Sequence, residues 1–487
     1  MYQLNSYAFD THTKWIAKNY KELILPSIGL AVSLLLMNVF GIILVCLIFI
    51  ICGATNLKTR AKKKLVYTAR VKRLITTNIV IITAILVFTF MLKCEVLQIV
   101  EAAALLLAPA VLLLSNLINM PVEKLINLKY INEAKRILRD ADSLKIIGIT
   151  GSYGKTSVKY FLSSLLQAKY DVLKTPGNYN TTLGVVKTIR EMYSPLNQVF
   201  VCEMGARRVG DIKEICDLVH PDAGIITSIG PQHLETFKTL RHVQETKYEL
   251  ADSLDQKSPL FLNGDDENIM SFPHRDNAII YGIDNHQGYF ADSISTDEKG
   301  SKFLLHTPEG DEMYFTTQLL GRHNVLNIVG AIAIAHTFGI TLKELVPRVR
   351  KLEGVEHRLQ FLPNPEGAII DDAYNSNPQG TKAALEVLSL FEGFKVLVTP
   401  GMVELGSKET ELNYEFGQNA ASVCDYIALV GEQRTKPIYD GIISTGYPCD
   451  RVFVAGSFNE AMQKAKSVSS NGKKRFILLE NDLPDNY

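Results

Sequence analysis

The segment from Lys145 to Ala168 constrains the fold more than any other. A short apolar run, KIIGIT, meets a turn bounded by Gly151 and Gly154, and residues from Ser157 to Ala168 follow with helical spacing. A strand that feeds a glycine turn into a helix start aims backbone N–H groups and the positive end of the helix at one point, where they cradle phosphate oxygens. In this setting Lys155 would hold the β and γ phosphates of ATP and Thr156 would put its hydroxyl on Mg²⁺. Gly151, Ser152, Gly154 and Ser157 would complete the cradle. The spacing is a variant, since five residues rather than four separate Gly148 from Gly154.

The alternation continues. QVFVCEMG, AGIITSIG, KVLVTPG and RFILLEND read as buried strands that end in loops. Strands alternating with helices argue an α/β fold with a parallel sheet covered on both faces, and ligands of such sheets sit beyond the carboxyl ends of the strands. Two blocks are expected, 143–355 and 356–487, joined near Gly354. The first would include small antiparallel strands between Asn263 and Gln318 and a helix from His323 to Phe338. Glu203 closes VFVCE, so its carboxylate would emerge at the ligand edge as a natural Mg²⁺ ligand. On pattern alone, 177–184 (GNYNTTLG) is an ordinary polar turn, although its amides and hydroxyls could meet a metal or a phosphate. His233 reads as structural, Lys247 as a solvated helix lysine, and Asn324 equally well as a helix cap.

Residues 1–121 have a different texture. No charge occurs from Leu23 to Leu57, 35 residues or ~52 Å of helix against a hydrocarbon core of ~30 Å. That run would be one span with wet flanks or a hairpin turning near Asn38 to Gly41. Leu74 to Leu92 and Ala102 to Met120 are also uncharged, so three or four membrane spans are expected, and with them contact with membrane lipid. The loop from Lys58 to Arg73 holds eight basic residues and no acid, which places it in the cytoplasm. Lys93 to Glu101 would be an external turn and everything after Pro121 cytoplasmic. A mixed-charge helical connector, Val122 to Asp142, would lead to the catalytic body. Lys plus Arg and Asp plus Glu both total 51, so net charge offers no argument for a nucleic-acid partner. The seven cysteines form no CxxC pair, which suits reduced, unliganded thiols.

G-[IV]-T-G-S-x-G-K-T-[ST], as it stands at Gly148 to Ser157, resembles the nucleotide loop of the Mur ligases. These enzymes use ATP to add amino acids to the peptide of a bacterial cell-wall precursor. The resemblance extends from Ile146 to Gly406 through ordered landmarks. It implies that His233 in SIGPQHL helps hold a second metal and that Lys247 in QETKYEL is carbamylated into a metal ligand. In GRHNVLNIVGA it implies that Asn324 meets the adenine. It puts Arg358 of HRLQ near the phosphates. Asp371 to Pro378, DDAYNSNP, is most similar to the branch that adds D-alanyl-D-alanine. That match implies that Asp372 and Tyr374 face the ribose and adenine and that Asn375 to Asn377 line the closed interface.

The family's chemistry then implies amide formation through an acyl phosphate, joining an amino acid or dipeptide to a cell-wall precursor carboxylate, with Lys155, His233, Lys247 and Arg358 at the reacting phosphates. Two departures bear on the substrates. Membrane spans stand where a soluble member carries a UDP-gripping domain, so the acceptor can be lipid-linked or be recognised without that clamp. Thr399 to Gly406 lacks the usual aspartate after the glycine, and the chain closes on LENDLPDNY without a KGSR-like finish. Both regions are expected to choose the amine. The alternatives are a related membrane ligase that extends another polymer, and a membrane ATPase or nucleotide sensor.

Overall fold

A computed structural model describes residue 13 and residues 66–91, 108–231, 234–297, 299–374, 376–403 and 405–481. The uncharged run from Leu23 to Leu57, the first half of the basic loop, the external turn, His233, Asn375 and the last six residues lie outside the described residues. The chain divides into two units between Lys129 and Tyr130.

In the first unit, helices α1 (Ala69–Met91) and α2 (Ala108–Arg139) are tied by polar pairs. Arg73 clasps Glu123 through two bonds of 2.7 and 2.9 Å. Thr77 donates to Asn119 at 3.1 Å, and Asn78 to Ser115 at 3.4 Å. Large apolar side chains such as Val80, Phe88, Leu117 and Ile118 are exposed instead. The third apolar run and the connector form one helix, since α2 continues through Pro121. A proline removes one helical hydrogen bond and bends the axis, but strong helix formers on both sides, such as Leu, Lys and Glu, carry the helix past it. Among the described residues only one helix, Val111–Arg139, is long and apolar enough to cross a membrane by length and composition. The three or four expected spans are therefore not borne out there. α1 starts at Ala69 and so takes Arg70, Lys72 and Arg73 of the basic loop into its first turn and a half.

The second unit holds two sheets. The first contains β1 (Lys145–Thr150), β2 (Val172–Lys174), β3 (Val199–Glu203), β4 (Ala223–Ile226), β5 (Leu260–Asn263), β6 (Ile279–Gly282), β7 (Tyr289–Asp297), β8 (Gly300–His306) and β9 (Glu312–Thr317). Their order is β2-β3-β1-β4-β5-β6-β7-β8-β9. Pairing is parallel as far as β7 and antiparallel across β7, β8 and β9. The antiparallel strands expected between Asn263 and Gln318 are thus confined to its later part. β1, β3 and β4 are buried almost throughout, as strands covered on both faces must be.

Helix α3 (Lys155–Leu166) buries Val158, Phe161, Leu162 and Leu165 in the same core as Val325, Ile328 and Ile332 of a later helix, Arg322–Thr337. Because β1 lies between β3 and β4, the chain order reverses there. The crevice at such a switch point is where ligands bind in open α/β sheets.

The second sheet has β10 (Gln360–Asn364), β11 (Gly367–Asp372), β12 (Phe394–Thr399), β13 (Tyr426–Val430), β14 (Val452–Ala455) and β15 (Arg475–Glu480) in the order β10-β11-β15-β12-β13-β14. It is parallel except for β10, which pairs antiparallel with β11. That edge strand was not among the expected elements. Its burial pattern carries little signal, since Pro363 and Asn364 face solvent, and only pairing with β11 makes it a strand. Two helices follow β9, the second spanning Leu342–Arg350, and the stretch 351–359, which contains Gly354, leads on to β10. Cys202, Cys216, Cys424 and Cys449 are free thiols.

Candidate active site

The glycine turn lies at the carboxyl end of β1, as its sequence predicts. Gly151 has φ 150° and Gly154, at the helix start, φ 79°. A Cβ on Gly151 would lie 2.1 Å from Thr227 Oγ1, and one on Gly154 2.8 Å from Asn327 Oδ1. The turn therefore needs a residue without a side chain at both places. Ser152 is buried, and its hydroxyl bridges to Gly230. Ser157 faces inward one residue beyond Thr156.

Lys155 Nζ folds back onto the carbonyls of Gly151 and Ser152 at 2.5 and 2.8 Å. Burial pulls its pKa down to about 8, opposed by the Glu203 charge and assisted by Arg358. Such a lysine is poised to gain from an incoming phosphate.

Thr156 and Glu203 meet where the sequence places them. Thr156 Oγ1 is 3.2 and 3.1 Å from the two carboxylate oxygens of Glu203. Asn180 Nδ2 donates to Glu203 Oε1 at 3.0 Å, so the 177–184 segment is more than an ordinary turn. Lys159 lies one helical turn after Lys155 with its side chain wholly buried. Its ammonium sits 2.8 Å from Glu203 Oε2 and donates to the Gly177 carbonyl at 2.6 Å. Burial alone would raise the Glu203 pKa. The charges of Lys159 and Lys155, with hydrogen bonds from Lys159 and Asn180, reverse this and hold it below the usual carboxylate range.

Lys159 is the functional residue that sequence reasoning missed. Its spacing of four from Lys155, on the same face of α3, was the available signal.

Lys247 is buried rather than solvated, in a helix spanning Leu240–Asp252 whose buried face includes Val243, Thr246 and Leu250. The solvated-lysine reading fails because the residue lies on that inward stripe. Burial, with Lys155 beside it, holds Lys247 well below the usual lysine range, against the opposing pull of Glu249 and Asp211.

Asn324 is no helix cap. Gly321 takes that position, and Asn324 is buried in the first turn with Nδ2 donating to the Leu320 carbonyl at 2.8 Å. Asn327, three residues on, packs against Gly154.

Arg358 reaches from the 351–359 connection to the phosphate loop, its Nη2 lying 3.4 Å from Thr156 Oγ1. Its guanidinium also lies 4.5 Å from the Tyr374 ring centroid. Both neighbours of Arg358 are held at positive φ, His357 at 59° and Leu359 at 47°. His357 Nδ1 bonds Asp371 at 2.8 Å, and the Leu359 N–H donates to Asp372 Oδ1 at 3.1 Å. The DDAYNSNP loop thereby locks the arginine's backbone in place. Asn377 also has a local structural role. Its side chain caps the helix Pro378–Ser389 by accepting from Gly380 N at 2.8 Å.

The donor set suits Mg²⁺. A hydroxyl and a carboxylate converge beside the phosphate-binding lysine, and both are the hard oxygen ligands that ion prefers. Among the described residues no cluster of three or more His, Cys, Asp or Glu could hold a metal by itself.

Residues 149–335 match the Mur ligase middle domain, and residues 357–479 match the Mur ligase glutamate ligase domain. The chain belongs to the Mur ligase family. The UDP-N-acetylmuramoyl-tripeptide–D-alanyl-D-alanine ligase of Bacillus subtilis is 34% identical over 288 residues, 58% of this chain and 62% of that protein. The enzyme of the same name from Haemophilus influenzae is 32% identical over 310 residues, 61% of this chain and 66% of that one. The chain thus spans a little under two thirds of the length of these curated relatives. Crystal structure I of MurF from Acinetobacter baumannii is similar with a TM-score of 0.66 at 26% identity, covering 73% of this chain and 77% of that one. The MurF ligase of Thermotoga maritima in complex with ADP has a TM-score of 0.64 at 24% identity over 73% of this chain and 80% of that one, a likeness of fold. The two Mur ligase domains coincide with the two sheets.

Proposed function

We propose that this Mur ligase is an ATP-dependent acid–amino-acid ligase that joins D-alanyl-D-alanine, or a similar amine, to the terminal carboxylate of a cell-wall peptide precursor. The observation that carries this reading is the convergence of Lys155, Thr156 and Glu203 on one point, with Arg358 reaching them from the connection to the second domain.

Lys155 and the loop N–H groups bind the β and γ phosphates of ATP. The acceptor carboxylate attacks the γ phosphorus and ADP leaves, giving an acyl phosphate. The incoming amine then attacks the acyl carbon, expels phosphate and loses a proton. Lys155 and Arg358 supply fixed positive charge as negative charge moves onto the phosphoryl oxygens. Thr156 and Glu203 would hold Mg²⁺, which when bound neutralises phosphate charge and orients the γ phosphate. Lys159 and Asn180 keep the Glu203 carboxylate charged and aimed. Lys247, whose burial disfavours the charged amine, would suit carbamylation by CO₂ and could then hold a second ion with His233. Asp372 and Tyr374 meet the nucleoside, and Asn324 lies at its base.

The test is phosphate release from ATP by the full chain. Release should require both a UDP-linked or lipid-linked tripeptide and D-alanyl-D-alanine, and Lys155→Ala should abolish it. Release with neither substrate would favour an ATPase or sensor, and unchanged turnover in Lys155→Ala would defeat the site.

A second reading concerns location and acceptor. We propose that α1 and α2 lie in a membrane, that the ligase domains face the cytoplasm, and that the acceptor is lipid-linked. The supporting observation is the inverted character of the α1–α2 pair, with polar contacts inside and Val80, Phe88, Leu117 and Ile118 outside. Hydrocarbon solvates such an exterior better than water does.

A further inference from the structure

Asp372 ends β11 and Glu480 ends β15, and the parallel register sets the two residues side by side. Glu480 is fully buried, while Asp372 in front of it is only partly so. The two carboxyls are near enough to act on each other's charge. Ser376 Oγ donates to Glu480 Oε1 at 2.6 Å, and Glu480 Oε2 is buried where no N–H or O–H donor reaches it among the described residues. A carboxyl oxygen that faces only another acceptor is satisfied when it carries the proton itself. The groups around Asp372 are Arg358, Asp371 and the Leu359 N–H, and those around Glu480 are Asp372 and Ser376. Burial pushes Asp372 up to about 6, opposed by the Leu359 N–H and Arg358. Burial and the Asp372 charge push Glu480 well above the carboxylate range. Of the two, the inner residue, buried and with an oxygen that no donor reaches, is the one on which the neutral acid is favoured.

We propose that Glu480 is a positioning residue for nucleotide recognition: as a carboxylic acid it donates to Asp372 across the strand pair and keeps that carboxylate charged, oriented and free to accept sugar hydroxyls. This rests on the nucleotide reading given under Proposed function. It also gives a physical role to the place where the chain departs from the family's KGSR-like finish. The buried end of β15 tunes an acid on the neighbouring strand.

The experiment is calorimetric titration of the full chain with ADP and Mg²⁺ from pH 5 to 7.5, repeated with 2′,3′-dideoxy-ADP. Wild type should bind ADP less tightly as pH falls through about 6, and the dideoxy analogue should show only the weaker dependence that comes from the terminal phosphate both ligands share. Glu480→Gln, which keeps a donor toward Asp372 and an acceptor for Ser376, should bind within about twofold of wild type with the same acid limb. Glu480→Leu removes the donor, so affinity at pH 7 should fall about tenfold and the limb should move upward. Glu480→Lys puts a fixed cation beside Asp372 and should move the limb downward.

An unmoved limb in the Leu and Lys variants would overturn the proposal. So would a Gln variant as impaired as Leu, with near-UV circular dichroism like that of wild type. If the Leu variant does not fold, the Lys variant decides alone. Failure of wild type to bind ADP at any pH would instead overturn the nucleotide reading. Weakened binding by Asp372→Asn, with every Glu480 variant behaving as wild type, would keep that reading and reject the pair.

Discussion

Lys159 shows how much a single buried charge can decide. Its ion pair with Glu203 is inaccessible to water, so removing one partner leaves the other charged in a low-dielectric site, a loss of ~3–5 kcal/mol. Lys159→Met should therefore lower the urea midpoint markedly. The double variant with Glu203→Gln should recover much of the loss while staying inactive, and a double variant no more stable than the single one would contradict the pairing. Lys155 carries a second prediction. Its pKa of about 8 means that it is charged below that pH and neutral above. Affinity for ADP should fall as pH rises through about 8, and a flat profile between pH 7 and 9 would show that the ammonium does not meet the phosphates. Neither residue's environment was legible in the sequence. The one-turn spacing of the two lysines was visible, but whether the second points into water or into the sheet depends on β2, β3 and the 177–184 loop arriving from elsewhere.

At the scale of elements, the glycine turn is specified locally and strongly. Gly151→Ala adds a methyl where Thr227 Oγ1 already stands and forces a backbone angle that costs about 1–3 kcal/mol for other residues. The expected outcome is lost ADP binding with far-UV circular dichroism unchanged, and retained affinity would mean that the loop rearranges freely. The buried strands were readable for the same reason: continuous apolar runs between turn signals have few other uses. β10 and the passage of α2 through Pro121 were not readable. An edge strand is made by its partner's unpaired backbone, and a proline's effect depends on how much helix stands on either side. The two readings of Asn324 could not be separated from the sequence either, because it does not show that Gly321, two residues before His323, takes the capping place.

For the whole molecule, Arg358 joins the second domain's connection to the phosphate loop of the first. Arg358→Ala should reduce kcat by on the order of 10²-fold or more while ADP affinity changes far less. Equal losses in both would make it a binding residue only. The membrane reading is tested on the full chain by alkaline carbonate extraction, which should leave it in the membrane pellet, and recovery in the supernatant would overturn it. The bare order of residues was enough for the α/β class, the nucleotide loop, the carboxylate at the end of β3 and the two-block division, since each follows from local periodicity or from residues adjacent in the chain. Only tertiary structure could decide that Lys159 neutralises Glu203, that Lys247 is buried, and that Glu480 is buried beside Asp372. Those facts concern side chains brought together from distant positions, and their energies come from the water that packing excludes.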